Sequence, residues 1–290
     1  MRFLRFMQEG IPGLAVLAHG QWHGLLVTDE ANPGDLDDLI ARGANLSELG
    51  ATLADGAVID PDAVEFLPPL QRSRKIICVG LNYRDHSAES GFKQPEYPTL
   101  FFRVGTSLCA HRRAIERPDL SDTLDFEGEL AAIIGVGGKH IALGNALAHV
   151  AGYSIFNDVS VREYQFKAPQ WTVGKNFDGT GAFGPWFVTA DEFPDGGRGC
   201  KLQTRLNGEV VQSAMIDDMV FDLPNLIQII SEAITLEAGD VIVTGTPAGV
   251  GHGREPKLYM RPGDVCEVEI DGLGVLTNPI VSAPSATSGL

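Results

Sequence analysis

Short apolar runs rich in β-branched residues dominate the chain from residue 71 onward, and such runs are typical of strands. They occupy residues 75–80, 130–136, 153–156, 187–188, 201–206, 240–244 and 265–270. Helical spacing is less common and occurs at 143–150 and at 223–233, where the apolar side chains fall on one face. The pattern predicts a strand-rich α+β domain without internal repeats.

The first 70 residues have a pattern of their own, in which short strands and short helices are both predicted. The strands are expected at 14–16 and 24–27, and the helices at 36–40 and 46–49. Pro68 and Pro69 then interrupt the chain, which is typical of a linker. The predicted division is a small N-terminal α/β domain at 1–70, a larger domain at 71–284 and a flexible tail at 285–290.

The composition is that of a globular protein, and the net charge argues against two classes of binding partner. It has 290 residues, 44% of them hydrophobic, and a formal net charge of −16. Nucleic acids and anionic membranes bind positively charged surfaces, so neither is an expected partner of this acidic protein. The four cysteines form no C-x-x-C pair, and the N-terminal residues lack the long apolar run of a signal peptide or membrane span. A cytoplasmic protein with reduced thiols is expected.

Acidic residues lead into the run at 130–136. Glu127 and Glu129 are two residues apart, so on an extended strand both side chains point to one face. Asp158 follows the later run at 153–156, and a helix between the two runs is expected to return it to the same edge of the sheet. Three such carboxylates suit Mg²⁺, Mn²⁺ or Ca²⁺. The pattern alone favours a solvated acidic strand and a turn residue instead.

Three further clusters contain candidate functional residues. His86 and Glu89 are helical neighbours in which the carboxylate can orient the imidazole as a base, although most such pairs are ordinary surface pairs. The G-x-G-x-x-G sequence at 179–184 is followed by Pro185, which excludes a dinucleotide-binding helix and indicates a loop that leaves Lys175 able to meet an anion. The residues 244–251 are either an anion-binding turn or a simple tight turn.

Together these segments resemble the fumarylacetoacetate hydrolase superfamily over residues 72–281. Five motifs occur in the family's order. They are GLNYRDHSAE at 80–89, LDFEGELAAIIG at 124–135, the run ending in Asp158 with VREYQ at 161–165, QWTVGKNFD at 170–178 and DVIVTGTPAGVG at 240–251. The bacterial members of aromatic catabolism are the more similar branch, since the N-terminal part is shorter than in the animal enzyme.

The resemblance implies a mixed β-roll catalytic domain behind the small N-terminal domain, as a homodimer. It implies one Mg²⁺ or Mn²⁺ ion on Glu127, Glu129 and Asp158, and a small anionic 2-oxo acid as substrate. The remaining site residues that it implies are His86, Glu89 and Lys175 as catalytic residues, with Gln165, Lys175, Thr246 and Tyr83 as substrate-binding residues.

The favoured function is hydrolysis of a C–C bond in an acylpyruvate such as maleylpyruvate or fumarylpyruvate, giving pyruvate and a carboxylic acid. The same enolate chemistry serves a decarboxylase of oxaloacetate or 5-oxopent-3-ene-1,2,5-tricarboxylate and a 2-hydroxymuconate-type isomerase, so both stay open. A diacid-binding module without catalysis is a further alternative. Arg84, Arg103 and Arg254 are candidates for binding a distal carboxylate of the substrate.

Overall fold

The computed structural model describes residues 1–89 and 94–283, apart from the side chains of residues 86–88. The predicted tail at 285–290 lies outside the described residues. The strands are β1 Arg2–Gln8, β2 Ile11–Ala18, β3 Gln21–Leu26, β4 Ala57–Ile59, β5 Glu65–Phe66, β6 Ile76–Gly80, β7 Thr99–Arg103, β8 Leu108–Ala110, β9 Ile115–Arg117, β10 Leu124–Asp125, β11 Gly128–Ile134, β12 Val150–Asp158, β13 Ser160–Val161, β14 Gly181–Thr189, β15 Lys201–Leu206, β16 Glu209–Met215, β17 Val241–Val243, β18 Val265–Ile270 and β19 Gly274–Ser282. The α-helices are α1 Leu36–Ala41, α2 Leu46–Ala54, α3 Arg84–Glu89, α4 Arg162–Gln165, α5 Thr172–Lys175 and α6 Leu223–Ala233. Short 3-10 helices lie at Gly105–Ser107, Leu143–His149, Ala190–Glu192, Asp195–Gly197, Ile216–Asp218 and Gly251–Gly253.

A large mixed sheet crosses the described part of the protein. Its strand order is β4-β3-β2-β1-β14-β12-β11-β17-β6-β7, with β5 paired to β1 and β8 paired to β14. A second sheet has the order β16-β15-β18-β19-β9. The main hydrophobic core contains side chains of β11 and β12 from the first sheet, β15 and β18 from the second, and the apolar face of α6.

Strand β11 lies inside the large sheet and has core on both of its faces. Leu130 and Ala132 belong to the main core, whereas Ala131 and Ile133 belong to a second core that includes Phe3 and residues of α1 and α2. A strand covered on both faces needs apolar residues at every position, which explains the continuous run after Glu129. The carboxylates at the start of β11 therefore enter the protein interior.

The N-terminal residues share the large sheet with the rest of the chain. Arg2 and Phe3 of β1 pair with Val188 and Phe187 of β14, and β1 in turn pairs with β2. The sequence pattern did not predict β1, because two arginines and the following glycine-rich turn obscure its alternation. Whether residues 1–70 form a domain that folds separately stays a prediction.

The helix predicted at 143–150 is present as a short 3-10 helix that ends at His149, and Val150 already begins β12. One expectation about local structure is wrong. The glycine-rich loop expected at 179–184 becomes strand β14 from Gly181. A Cβ atom at Gly181 would lie 2.8 Å from Nε of Arg103, so this glycine allows a buried arginine to pass beside the strand.

Candidate active site

Three carboxylates meet where β11 and β12 run side by side. Glu127 directly precedes β11, Glu129 is its second residue, and Asp158 is the last residue of β12. The amide of Asp158 donates to the carbonyl of Glu127 at 2.8 Å. All three side chains are buried, with oxygen atoms within 4.8 Å of one another. Asp158 returns to the same edge of the sheet as expected: the 3-10 helix Leu143–His149 lies between the two strands, and their antiparallel pairing places the start of β11 beside the end of β12.

Three buried cations hold two of these carboxylates. Lys175 Nζ lies 2.6 Å from Oε2 of Glu127 and 2.7 Å from Oδ2 of Asp158. Arg162 Nη1 lies 2.6 Å from the other oxygen of Glu127, and Arg103 Nη1 pairs with the other oxygen of Asp158. Buried ion pairs need such complete pairing, because each unpaired charge is costly in an apolar interior. These contacts hold the oxygens of Glu127 and Asp158 in place.

Asp125 forms a second layer behind Glu127. Its side chain is fully buried, and its Oδ2 accepts a hydrogen bond from Nε of Arg162 at 2.8 Å. It also accepts from the backbone amides of Gly251 at 2.7 Å and His252 at 2.9 Å. One carboxylate therefore connects the arginine that holds Glu127 to the loop after β17.

The buried ionic groups leave a net negative charge. Four carboxylates (Asp125, Glu127, Glu129 and Asp158) face three cations, so one negative charge is uncompensated. Burial, together with the carboxylates of Asp158 and Glu127, raises the pKa of Glu129 well above its usual value. Burial lowers the pKa of Lys175, but Asp158 and Glu127 outweigh that effect and the pKa is raised, which keeps the ammonium charged.

These residues fit a divalent cation. The donors are hard carboxylate oxygens that lie close enough together to share one ion. Glu129 accepts a hydrogen bond from the amide of Gly245 at 2.5 Å. Burial and the neighbouring carboxylates raise its pKa, and a bound cation would oppose both effects by stabilising the ionised carboxylate. Glu127, Glu129 and Asp158 are therefore the residues that could hold the metal.

A cavity of about 290 Å³ opens onto this cluster. Its polar wall contains two of the three carboxylates and both Arg162 and Lys175, and its apolar wall contains Phe101, Trp171 and Val250. The remaining lining residues are Val79, Gly80, Leu81, Gln165, Phe166, Thr246 and His252. Ligand cavities for drug-sized molecules begin at roughly 300 Å³, so this cavity suits a small organic acid.

Three of the four predicted substrate-binding residues line the cavity, and hydrogen bonds anchor the side chains of Gln165 and Thr246 as well as Lys175. Gln165 lies one turn from Arg162 on α4, and its Oε1 accepts from Nη1 of Arg162 at 2.9 Å. Thr246 donates through Oγ1 to the carbonyl of Gly128 at 3.0 Å and accepts from Gln212 at 2.8 Å. The structure thus places Gln165, Thr246 and Lys175 around one cavity with the carboxylates.

The GLNYRDHSAE segment forms helix α3 beside the site. Glu89 Oε2 accepts from the amide of Gly249 at 2.9 Å, so the helix contacts the loop that carries Thr246 and His252. The side chain of His86 lies outside the described residues, and its predicted role as a base stays a prediction. Tyr83 is buried in the main core and is not among the residues that line the cavity.

The three arginines considered for a distal carboxylate are placed elsewhere. Arg103 is buried on Asp158, Ser107 and Thr180. Arg254 donates to the backbone carbonyls of Gly249 and Val211, and Arg84 lines a different surface depression. None of them lines the cavity described above.

Sequence reasoning missed three residues of the site: Arg103 and Arg162 as holders of the carboxylates, and His252. Arg162 had a usable signal, because it lies three residues before Gln165 within the VREYQ motif and therefore on the same side of a helical turn. Arg103 and His252 had none, because each meets the site only through tertiary contacts.

The loop after β17 leaves no room for a side chain at Gly251. A Cβ atom there would lie 1.7 Å from the carbonyl oxygen of Leu258 and 2.6 Å from Oδ1 of Asp125. We expect Gly251→Ala to displace the loop, to lower the free energy of unfolding by about 1–3 kcal/mol and to reduce activity. Denaturant titration and kinetics test this, with Gly144→Ala as the control because no atom lies within 4 Å there. Equal behaviour of the two variants would contradict it.

Comparison with known proteins places this fold and site in one family. The family model described as fumarylacetoacetate (FAA) hydrolase C-terminal matches residues 75–281. Oxaloacetate tautomerase Fahd2a, mitochondrial, of Rattus norvegicus is 37% identical over 288 residues, which cover 97% of this chain and 92% of the rat protein. The chain belongs to the fumarylacetoacetate hydrolase family, as the sequence motifs indicated.

Two solved structures support the same assignment. A fumarylacetoacetate hydrolase from psychrophilic Exiguobacterium antarcticum is 39% identical, with a TM-score of 0.84 over 98% of this chain and 100% of that chain. The maleylpyruvate hydrolase of Sphingobium sp. SYK-6, solved with manganese(II) and pyruvate, is 27% identical, with a TM-score of 0.79 and the same coverage. The predicted α+β fold of this family is confirmed.

The described helices are all short. None of them combines the length and the apolar character that crossing a bilayer requires.

Proposed function

We propose that this protein is a divalent-metal-dependent enzyme that interconverts the keto and enol forms of a small 2-oxo diacid, with oxaloacetate as its substrate. The observation that carries the proposal is the buried carboxylate trio, two members of which line one small cavity together with Lys175. The choice of reaction is supported by the rat oxaloacetate tautomerase, which aligns with 97% of the chain.

The charges of the site suit an anionic substrate. The buried groups carry one net negative charge, so a bound dication would leave the site with one positive charge. That excess attracts a carboxylate, whereas the protein as a whole, with a net charge of −16, repels anions. The local positive charge of the loaded site is therefore confined to the cavity.

The side chains have distinct tasks in this proposal. When bound, a divalent ion supplies a Lewis acid that polarises the 2-oxo group. Lys175 uses two of its three N–H bonds on Glu127 and Asp158, and its third can donate to the substrate oxygen that becomes negative when the C3 proton passes to the His86–Glu89 pair, the predicted base. Return of that proton to the oxygen completes the enol. Gln165, held by Arg162, orients the substrate carboxylate next to the 2-oxo group.

Hydrolysis of an acylpyruvate is the second candidate. It is supported by the maleylpyruvate hydrolase, whose structure contains manganese and pyruvate. Hydrolysis needs a base that activates water, and the His86–Glu89 pair on α3 is the proposed base. Tautomerisation needs no water, which is consistent with a small and partly apolar cavity.

A substrate panel distinguishes these reactions. Purified protein with Mg²⁺ or Mn²⁺ is given enol-oxaloacetate, maleylpyruvate, fumarylpyruvate and acetylpyruvate, and products are identified by NMR, with EDTA as the control. We expect metal-dependent loss of the enol signal of oxaloacetate without release of CO₂. Release of pyruvate and an acid from an acylpyruvate at a higher kcat/KM would instead establish the hydrolase. Pyruvate and CO₂ from oxaloacetate would establish the decarboxylase, and binding without turnover a binding module.

The same preparations test two further proposals. Comparing kcat/KM with Mg²⁺ and Mn²⁺ determines which ion the enzyme uses. Light scattering at low micromolar protein tests the proposed homodimer, and a monomer mass would contradict it.

A further inference from the structure

His252 contributes an ordered imidazole to the cavity wall. Its Nδ1 lies 2.7 Å from the hydroxyl of Tyr259, and its ring packs on Phe166 with 5.3 Å between the ring centroids. Both His252 and Phe166 line the cavity. A side chain held by a hydrogen bond on one side and a ring on the other is suited to recognising a ligand, because its orientation is set before binding.

The backbone connects His252 to the carboxylate cluster. Its amide donates to Asp125 at 2.9 Å, Asp125 accepts from Arg162 at 2.8 Å, and Arg162 lies 2.6 Å from Glu127. His252 is therefore near the metal-binding residues without being one of them. None of the tasks proposed for the reaction involves this part of the cavity wall.

The groups around His252 favour a neutral N–H donor. Burial and the nearby cations Arg162 and Lys257 lower the pKa of His252, and Asp125 only partly opposes them. Burial and Asp125 raise the pKa of Tyr259, so its hydroxyl stays protonated. With the Tyr259 hydroxyl assigned as the donor to Nδ1, the proton of the imidazole is on Nε2. His252 can then donate to an anion from Nε2.

We propose that His252, oriented by Tyr259 and Phe166, is a specificity-determining residue that binds the second carboxylate of the substrate, the one that does not belong to the 2-oxo acid end. This inference rests on the proposed function, since it assumes a 2-oxo diacid. One net positive charge in the loaded site can neutralise only one of two substrate carboxylates. The second carboxylate needs a hydrogen-bond donor, and the arginines considered from the sequence do not line the cavity.

Substitution of His252 tests the proposal through two ligands of different length. Oxaloacetate has both carboxylates, whereas oxalate is short enough to contact only the metal-binding end. We expect His252→Leu to raise KM for oxaloacetate at least tenfold with kcat changed less than threefold. The Kd of oxalate for the Mn²⁺-loaded protein, measured by calorimetry, should change less than twofold. His252→Gln, whose amide nitrogen can replace Nε2, should recover most of the loss.

Tyr259 provides an independent arm of the same experiment. Tyr259→Phe should raise KM for oxaloacetate about threefold, and the double variant with His252→Leu should be no worse than His252→Leu alone, because Tyr259 acts through the imidazole. The exposed Tyr97 supplies the matched control, Tyr97→Phe, which should leave KM unchanged.

The outcomes separate the two proposals. Equal effects of His252→Leu on oxaloacetate and oxalate, or no effect on either, would overturn the role of His252 while the wild-type activity still supports the proposed function. A wild-type protein that neither binds nor converts oxaloacetate would overturn the proposed function and this inference with it. Thermal unfolding of each variant identifies any loss that results from misfolding, and in that case the His252→Gln and Tyr259→Phe variants decide.

Discussion

Glu129→Gln should lower metal-dependent turnover by about 10³-fold, because it removes one of three charged oxygen donors and several kcal/mol of charge stabilisation with it. The substitution keeps the shape of the side chain, and the amide oxygen can still accept from Gly245. The expected loss is thus a loss of charge rather than of packing. Steady-state kinetics with saturating Mg²⁺ measures it.

The same variant should behave differently from wild type in unfolding experiments. Mg²⁺ at 100 times its Kd stabilises a protein by about 2.7 kcal/mol, which raises the wild-type Tm by roughly 5 °C, and Glu129→Gln should lose this gain. Without metal the variant should be at least as stable as wild type at pH 7, because it no longer carries a buried charge whose pKa is raised.

The difference in unfolding free energy between metal-free Glu129→Gln and wild type should change with pH in one direction. Since burial raises the folded-state pKa of Glu129, its contribution to stability is full below the usual glutamate pKa and declines as pH rises through the folded-state value. The advantage of the metal-free variant should therefore shrink as the solution is acidified. Glu209→Gln, at an exposed position of β16, is the matched control. A full Mg²⁺ response in Glu129→Gln would contradict the metal site.

Lys175→Met should be the most destabilising of the site substitutions when metal is absent. Lys175 is fully buried and pairs with both Glu127 and Asp158, so its removal leaves two carboxylates without that cation. Breaking a buried pair in this way costs about 3–5 kcal/mol of unfolding free energy. Turnover should also fall by about 10²-fold or more, because a preorganised donor is lost.

Chemical unfolding in EDTA and in Mg²⁺ measures this effect. A dication should restore part of the stability of Lys175→Met, so its Mg²⁺-dependent gain should exceed that of wild type. Because the pKa of Lys175 is raised, its stabilising contribution is full below the usual lysine value and declines only as pH rises through the folded-state value. The exposed Lys139→Met is the control. Equal stability of the two variants in EDTA would contradict the buried ion cluster.

The sequence was informative about strands and about the carboxylates. The β-branched run after Glu129 and the two-residue spacing of Glu127 and Glu129 follow from the geometry of a single strand, so local pattern is enough to predict them. The order of five motifs then indicated the family, which the family model over residues 75–281 confirms. Asp158 was named from its position after a strand, where a turn residue was the favoured interpretation, and the resemblance then favoured a metal ligand.

Other features depend on residues that are far apart in the chain. Arg103 reaches Asp158 across 55 residues, and no periodicity indicates that a β7 arginine turns inward. Strand β1 pairs with β14 across more than 180 residues, and no local pattern predicts that pairing. Such contacts are selected by burial and ion pairing in the folded state, and neither leaves a local signal.

The candidate chemistry of this chain was therefore readable from amino-acid type and spacing: acidic residues at strand ends, a lysine in a glycine-rich segment and a histidine–glutamate pair. The spatial arrangement of these residues could not be predicted in that way. The antiparallel pairing of β11 with β12 placed three carboxylates within 4.8 Å, and the loop after β17 brought His252 to the same cavity. Local patterns report the surroundings of one element, whereas a site with this many charges is stable only when separate elements fold together and pair them.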